Sequence, residues 1–372
     1  MHIAAFLLGL ALLLNTLWEA FETIVLPRTV TRTNRVTRLL YVTSWRVWVF
    51  VARRQKTEAR TESVLGYFGP ISLPLLLGFW ALSLVVSFGL MEWGLSIPLV
   101  STERVDFGTY LYYSGTTLFT VGFGDVVTKS GLPKSGLGRL LSVIEGGTGL
   151  GFLAIIIGYL PVLYQAFSRR EVRISLLDAR AGSPPSACEL LRRFQAAGDL
   201  ASLPALLADW ELWAAELLES HLSYPVLAYY RSQHDRESWL SALTMMLDTC
   251  ALLMVGIDGV PSAQAKLTFA MARHTIIDLA EIFHVDPIDD GERLTAENLR
   301  QMRETLSRAG IPLLPGEDAE KELSDIRATY EPFVAGLSRR FLFPLPTFGA
   351  HAGEVDNWVT SAWQSHGHRH FT

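Results

Sequence analysis

Thr120-Val121-Gly122-Phe123-Gly124-Asp125, preceded by Tyr110 to Phe119 and set between two long apolar segments, is the stretch on which the reading of this chain turns. A cation stripped of its water must meet oxygen atoms of similar field strength. A short extended backbone supplies successive rings of carbonyls only if all of them point inward. Consecutive residues bearing Cβ atoms cannot do that. Gly122 and Gly124 reach the positive-φ conformations that a Cβ disfavours, so the carbonyls of Thr120, Val121, Gly122 and Phe123 can line one axis. The Thr120 hydroxyl adds the innermost ring. Residues Asp106 to Phe119 then suit a short re-entrant helix that starts at Asp106 and aims the negative end of its dipole at the cavity below. These six residues read as an ion-selectivity filter.

The arrangement of outer helix, pore helix, filter and inner helix over roughly residues 66 to 167 resembles the potassium-channel family. The resemblance implies potassium ions held by Thr120, Val121, Gly122 and Phe123, with no other cofactor. One filter per chain further implies a homotetramer. Phe123 stands where the family most often carries Tyr, and so lacks a hydroxyl able to brace the filter. Asp125 at the mouth either concentrates cations or hydrogen-bonds to the pore helix.

With 372 residues, 49% of them hydrophobic, the chain is long enough for two domains and apolar enough for membrane spans. A net charge of -5 and the lack of a dense basic block in the C-terminal half argue against a nucleic-acid partner. Cys188 and Cys250 lie far apart, which excludes a C-x-x-C pair or a disulfide framework and fits a reducing compartment for that half.

Ile3 to Leu26 is long enough to cross a hydrocarbon core of ~30 Å. A signal peptide is the alternative, but no Lys or Arg precedes the run and no small-residue cleavage pattern follows Leu14. Asn15, Glu19 and Glu22 share one helical face: either a proton- or cation-sensing site, or a helix end at the interface pairing with nearby arginines. Arg28, Arg32, Arg35 and Arg38 follow at helical spacing. Interleaved threonines favour a stripe facing anionic lipids over a voltage sensor. Leu39 to Ala52 is too short for a comfortable span and is interrupted by Arg46. Treating it as an interfacial helix, with Tyr41, Trp45 and Trp48 at the headgroups, leaves the basic clusters of residues 28–38 and 53–60 on the cytoplasmic side and the N-terminus outside.

Ile71 to Glu92 reads as the outer helix, and Arg139 to Gln165 as the inner one. The glycines of the inner helix do not form a dinucleotide fingerprint, because they sit inside a membrane segment with no strand before them. Gly147, Gly149 and Gly151 leave two readings, close helix packing or a hinge that opens the pore, with Pro161 as a second bend site. Glu145 falls behind or below the filter, where it can hydrogen-bond the pore loop.

Beyond Ala181-Gly182-Ser183-Pro184-Pro185 the pattern is helical throughout. Trp239 to Ile257 is apolar enough for a span, but Asp248 near its middle favours a helix buried in a soluble bundle. There is no G-x-G-x-x-G after a strand, no metal-ligand spacing, no phosphate loop and no nucleophile elbow, so the expectation is a protein that is not an enzyme. His366, His368 and His370 leave two readings, a metal met on one side of an extended tail or, in preference, disordered C-terminal histidines.

The expected fold is an all-α membrane pore-loop channel with an N-terminal transmembrane helix and a cytoplasmic helical domain. The expected domains are 1–65, 66–168, 169–341 and a tail 342–372. The expected function is passive potassium conduction in the cell membrane, gated at the inner helices and modulated by the helical domain through an unidentified ligand. A weakly selective cation channel and a non-conducting receptor that uses the pore fold as an anchor are the alternatives.

Overall fold

The computed structural model describes residues 2–26, 36–101, 104–232, 237–257, 262–291 and 293–349. It divides into two units, Met1–Tyr164 and Gln165–Thr372. Arg28, Arg32 and Arg35 of the basic stripe and the histidines at 366, 368 and 370 lie outside the described residues.

In the first unit, α1 (His2–Ala20) continues as a π-helical turn over Phe21–Val25. Next come α2 (Val36–Ala52), α3 (Glu58–Gly66) and α4 (Phe68–Leu95). The short helix α5 (Phe107–Leu118) and α6 (Ser135–Ala181) complete the unit, α6 running on beyond Tyr164. Two short strands, Leu99–Val100 and Val127–Thr128, pair antiparallel and bracket α5 and the filter.

Helix α1 lies antiparallel on α4. A Cβ on Gly9 would come within 2.6 Å of the Ser87 carbonyl, and one on Gly94 within 2.5 Å of the Phe6 nitrogen. Such small residues let two backbones approach closely where lipid leaves no hydrophobic driving force between helices. Arg28, Arg32 and Arg35 lie outside the described residues, and among those described Glu19 pairs with no arginine. Its carboxylate caps α2, accepting the Val36 and Thr37 amides at 3.2 and 3.1 Å and the Thr37 hydroxyl at 2.6 Å. Glu22 accepts the Trp18 indole at 2.7 Å. Helix α2, at 17 residues, is short for a span. Its Trp45 ring packs on Phe68 at 4.8 Å, and the Trp48 indole donates to the Val64 carbonyl at 2.7 Å, so it is moored beside the start of α4.

The inner helix is longer than its apolar pattern indicates. It is continuous through Pro161 and past Arg169 and Arg170 to Ala181. At ~1.5 Å per residue it measures roughly 70 Å, more than twice a hydrocarbon core.

The second unit packs α7 (Ala187–Ala196), α8 (Leu203–Ser223), α10 (Ala263–Ile282), α11 (Ala296–Arg308), α12 (Glu317–Ala328) and α13 (Glu331–Phe341) around α9 (Trp239–Gly256). Every residue of α9 from Trp239 to Leu253 is buried. Length and composition would let this helix cross a membrane, but it is enclosed by protein. Asp248 is paid for by partners: Arg293 grips it with two nitrogens at 2.8 and 3.1 Å, and the Tyr330 hydroxyl donates at 2.6 Å. Arg293 also reaches Glu331 at 3.0 Å and the Pro346 carbonyl at 2.9 Å. The helical domain does not stop at residue 341, because Phe343 and Phe348 are buried in the same core.

Candidate ion-conduction site

A reciprocal capping box starts α5: Asp106 accepts the Thr109 amide at 3.0 Å, and Thr109 accepts the Asp106 amide at 3.2 Å. The helix ends where the Val121 amide bonds back to Thr116 O at 2.9 Å, and the chain then enters the six-residue stretch. There φ is positive at every second residue: Thr120 at 53°, Gly122 at 65° and Gly124 at 76°. Alternating the handedness of successive residues keeps their carbonyls on one side, which is what a column of cation sites requires. A Cβ on Gly122 or Gly124 would meet nothing within 4 Å, so backbone conformation, not space, demands glycine at both. Thr120 takes the same conformation with a β-branched side chain. Residue type alone does not announce this strain.

Three elements hold the stretch from behind. Tyr112 donates to Asp125 Oδ2 at 2.8 Å, so Asp125 at the mouth is bonded to the pore helix. The Tyr113 hydroxyl meets Ser142 of α6 at 2.7 Å and Thr128 at 3.0 Å, while Tyr110 donates to Ile97 O at 2.8 Å. Ser114 reaches back to Val85 O of α4 at 2.9 Å and to the buried carboxylate of Glu145. Glu145 thus bonds the pore helix, and a second buried carboxylate, Glu92 of α4, has no hydrogen-bond partner at either oxygen among the described residues. Tyr112, Tyr113, Ser114 and Glu92 escaped the sequence reading. An aromatic, a hydroxyl or one acid in an apolar run looks like ordinary lining until the fold sets it beside a partner.

The inner-helix glycines separate. A Cβ on Gly149 would fall 1.8 Å from the Leu118 carbonyl, so this glycine lets α6 pass the end of the pore helix. Gly147 and Gly151 face open space, with nothing within 4 Å of an added Cβ. Pro161 lies within the unbroken helix.

Residues Phe119 to Asp125 are all exposed, Phe123 at 71%, and apolar α6 side chains such as Val143 at 73% and Ile157 at 63% lie bare.

A family described as "Ion channel" matches residues 76–165, which begin in α4 and end in α6. The fold is that of an all-α membrane pore-loop channel. The chain is also 23% identical over 284 residues to "Uncharacterized membrane protein YdjJ" of Bacillus subtilis, covering 75% of this chain and 79% of that protein. Neither unit alone has so many residues, so the likeness runs across both. No solved structure matches. Together, the family match and the membrane-protein relative support an ion channel in a membrane.

Proposed function

We propose that copies of this chain assemble as a homotetramer and conduct potassium selectively and passively through the stretch Thr120 to Asp125. The observation that carries this reading is the alternation of positive φ at Thr120, Gly122 and Gly124 within a Thr-Val-Gly-Phe-Gly-Asp sequence. Rings of oxygens from Thr120, Val121, Gly122 and Phe123 would replace the hydration shell, and repulsion between neighbouring ions keeps exit fast. The bare filter and the bare apolar face of α6 support assembly, since four copies around one axis cover both.

The antiparallel packing of α1 on α4 supports an N-terminus on the outer side, the filter facing outward and the second unit in the cytoplasm. Arg38, the described member of the basic stripe, is exposed at the start of α2, as contact with anionic lipid requires. Gly147, Gly151 and Pro161 are the candidate bend sites of the gate, and the second unit modulates that gate, with its ligand left open.

Ion flux from purified protein in liposomes, with potassium and sodium compared, tests the reading. The expected result is potassium passing in large preference. Equal permeability favours a weakly selective cation channel, and no flux of either ion favours a non-conducting receptor.

A further inference from the structure

The last turns of α6 enter the second unit through buried polar groups. Arg170 donates to Leu227 O and Tyr230 O, both at 2.8 Å, and to Glu171 Oε1 at 3.0 Å. The other Glu171 oxygen accepts the Ser232 hydroxyl at 2.5 Å. Two turns later Asp178 Oδ1 accepts the Ser183 hydroxyl at 2.7 Å. Between these acids and the start of α9 lies Glu237, directly before the N-cap residue Ser238. It is only 7% exposed, and neither of its oxygens meets a donor among the described residues. Its electrostatic neighbours are Asp178 and Glu171, both acids.

An ionised carboxylate can only accept hydrogen bonds, so a buried one beside two others and without a donor is strongly disfavoured. A protonated one can donate, and Asp178 is within hydrogen-bonding reach. We propose that Glu237 is a proton-binding site: its carboxyl shares a proton with Asp178, and this bond latches the cytoplasmic end of the inner helix to the start of α9.

The surroundings agree. Burial first, then the bond to Asp178 and the charges of Asp178 and Glu171, push the Glu237 carboxyl up to about 10. Among the described residues, Arg170 is engaged by Glu171 and two carbonyls, Arg193 by Glu189 and the Asp178 and Ala179 carbonyls, and Arg231 by the Phe341 and Leu342 carbonyls. His221 of α8, whose ring packs on Trp239, is pushed down to about 3 by burial and the Arg170 charge and stays neutral. On α9 the described acid is Asp248, held by Arg293. No group of three or more acids, histidines or cysteines suited to a metal occurs among the described residues.

The sign follows from linkage. A carboxyl raised from 4.5 to about 10 binds a proton in the folded chain and not in the unfolded one across that window. Its contribution is therefore complete below the unfolded value and is lost as pH rises through the window. That the latch acts on the gate rests on the channel reading; the shared proton does not.

The test is thermal unfolding of the purified full-length protein against pH, for wild type, Glu237→Gln and Asp178→Asn. Glu237→Gln can still donate to Asp178 but cannot titrate, so its profile should lose the alkaline decline. Asp178→Asn removes a facing charge, so the decline should move to lower pH by about one unit or more. Superimposable profiles for wild type and Glu237→Gln, or an unmoved decline in Asp178→Asn, overturn the proposal. Should Glu237→Gln fail to fold, Asp178→Asn decides alone. Potassium flux against pH reads the second step: a profile flattened by Glu237→Gln supports the latch, and an unchanged profile overturns it. Absence of flux from every variant counts against the channel reading, and the unfolding profiles still decide the proton.

Discussion

Helix α9 and the pore segment 106–125 are both largely apolar stretches, and they end in opposite conditions. Asp248 in α9 is 1% exposed and finds Arg293 and Tyr330 within its own chain. Residues Phe119 to Asp125 are all exposed, and Glu92 of α4 has no hydrogen-bond partner at either oxygen among the described residues. A closely packed bundle has to satisfy its buried charge internally, because an unpaired one there is strongly destabilising. The pore segment can leave its outer wall bare only if something else covers it. Within one chain the second unit encloses Asp248, and residues Phe119 to Asp125 stay bare.

The largest expected effect breaks the pore side of this contrast and leaves the bundle alone. Gly122→Ala should abolish selective potassium flux while the protein still folds and assembles. The added methyl meets nothing within 4 Å, so the damage comes from holding a Cβ-bearing residue at φ 65°. That costs about 1–2 kcal/mol per residue, in every copy. Wild-type flux and selectivity in Gly122→Ala would refute a filter role for the alternating backbone.

Next comes the bundle. Arg293→Ala strands Asp248 in the centre of α9 and should destabilise the second unit by about 3–5 kcal/mol, read by thermal or denaturant unfolding. The K+/Na+ ratio of whatever protein remains folded should not change. Replacing both partners, Asp248→Leu with Arg293→Met, should recover much of the loss. If Arg293→Ala unfolds no more easily than wild type, the pair does not account for the burial of α9.

How much of this was legible in the sequence follows the same division. Alternating glycines, a capping aspartate and long apolar runs act locally, so Asp106, Gly122, Gly124 and the spans could be read directly. Asp248 told against a membrane span, because charge in lipid is costly, but its partner lies 45 residues away and nothing local names Arg293. The contact of Glu19 with Val36, at the start of α2, was not legible for the same reason: it spans 17 residues, beyond the reach of helical spacing. The inner helix outran its apolar pattern because hydropathy marks where lipid ends, not where hydrogen bonding does. Continuation to Ala181 depends on buried polar contacts such as Arg170 with Leu227.

The glycines of α6 give an intermediate effect that separates packing from bending. Gly149→Ala must push the inner helix off the Leu118 carbonyl, a strain of about 1–3 kcal/mol, and should reduce conduction by displacing the pore helix. Gly147→Ala with Gly151→Ala adds methyl groups in open space and stiffens the helix by about 1 kcal/mol per site. That pair should shift single-channel open probability and leave selectivity unchanged. If only Gly149→Ala has an effect, the glycines serve packing and the hinge is lost.

The smallest expected effect is at the filter mouth. Phe123 has no hydroxyl, so bracing of the outer filter falls to the bond from Tyr112 to Asp125 at 2.8 Å. Both residues are exposed in the single chain, so water competes for the bond, and its net worth is about 0.5–1.5 kcal/mol. Tyr112→Phe removes the donor and keeps the ring, so the pore helix should be unaffected. Potassium preference should persist, but the conducting state should be shorter-lived by roughly 2- to 10-fold, the factor that such an energy sets at room temperature. Asp125→Asn can still accept the bond and lacks the charge. A lifetime close to wild type in Asp125→Asn, with a short one in Tyr112→Phe, assigns Asp125 to bracing. A wild-type lifetime in Tyr112→Phe, together with reduced current in Asp125→Asn, assigns it instead to gathering cations at the mouth.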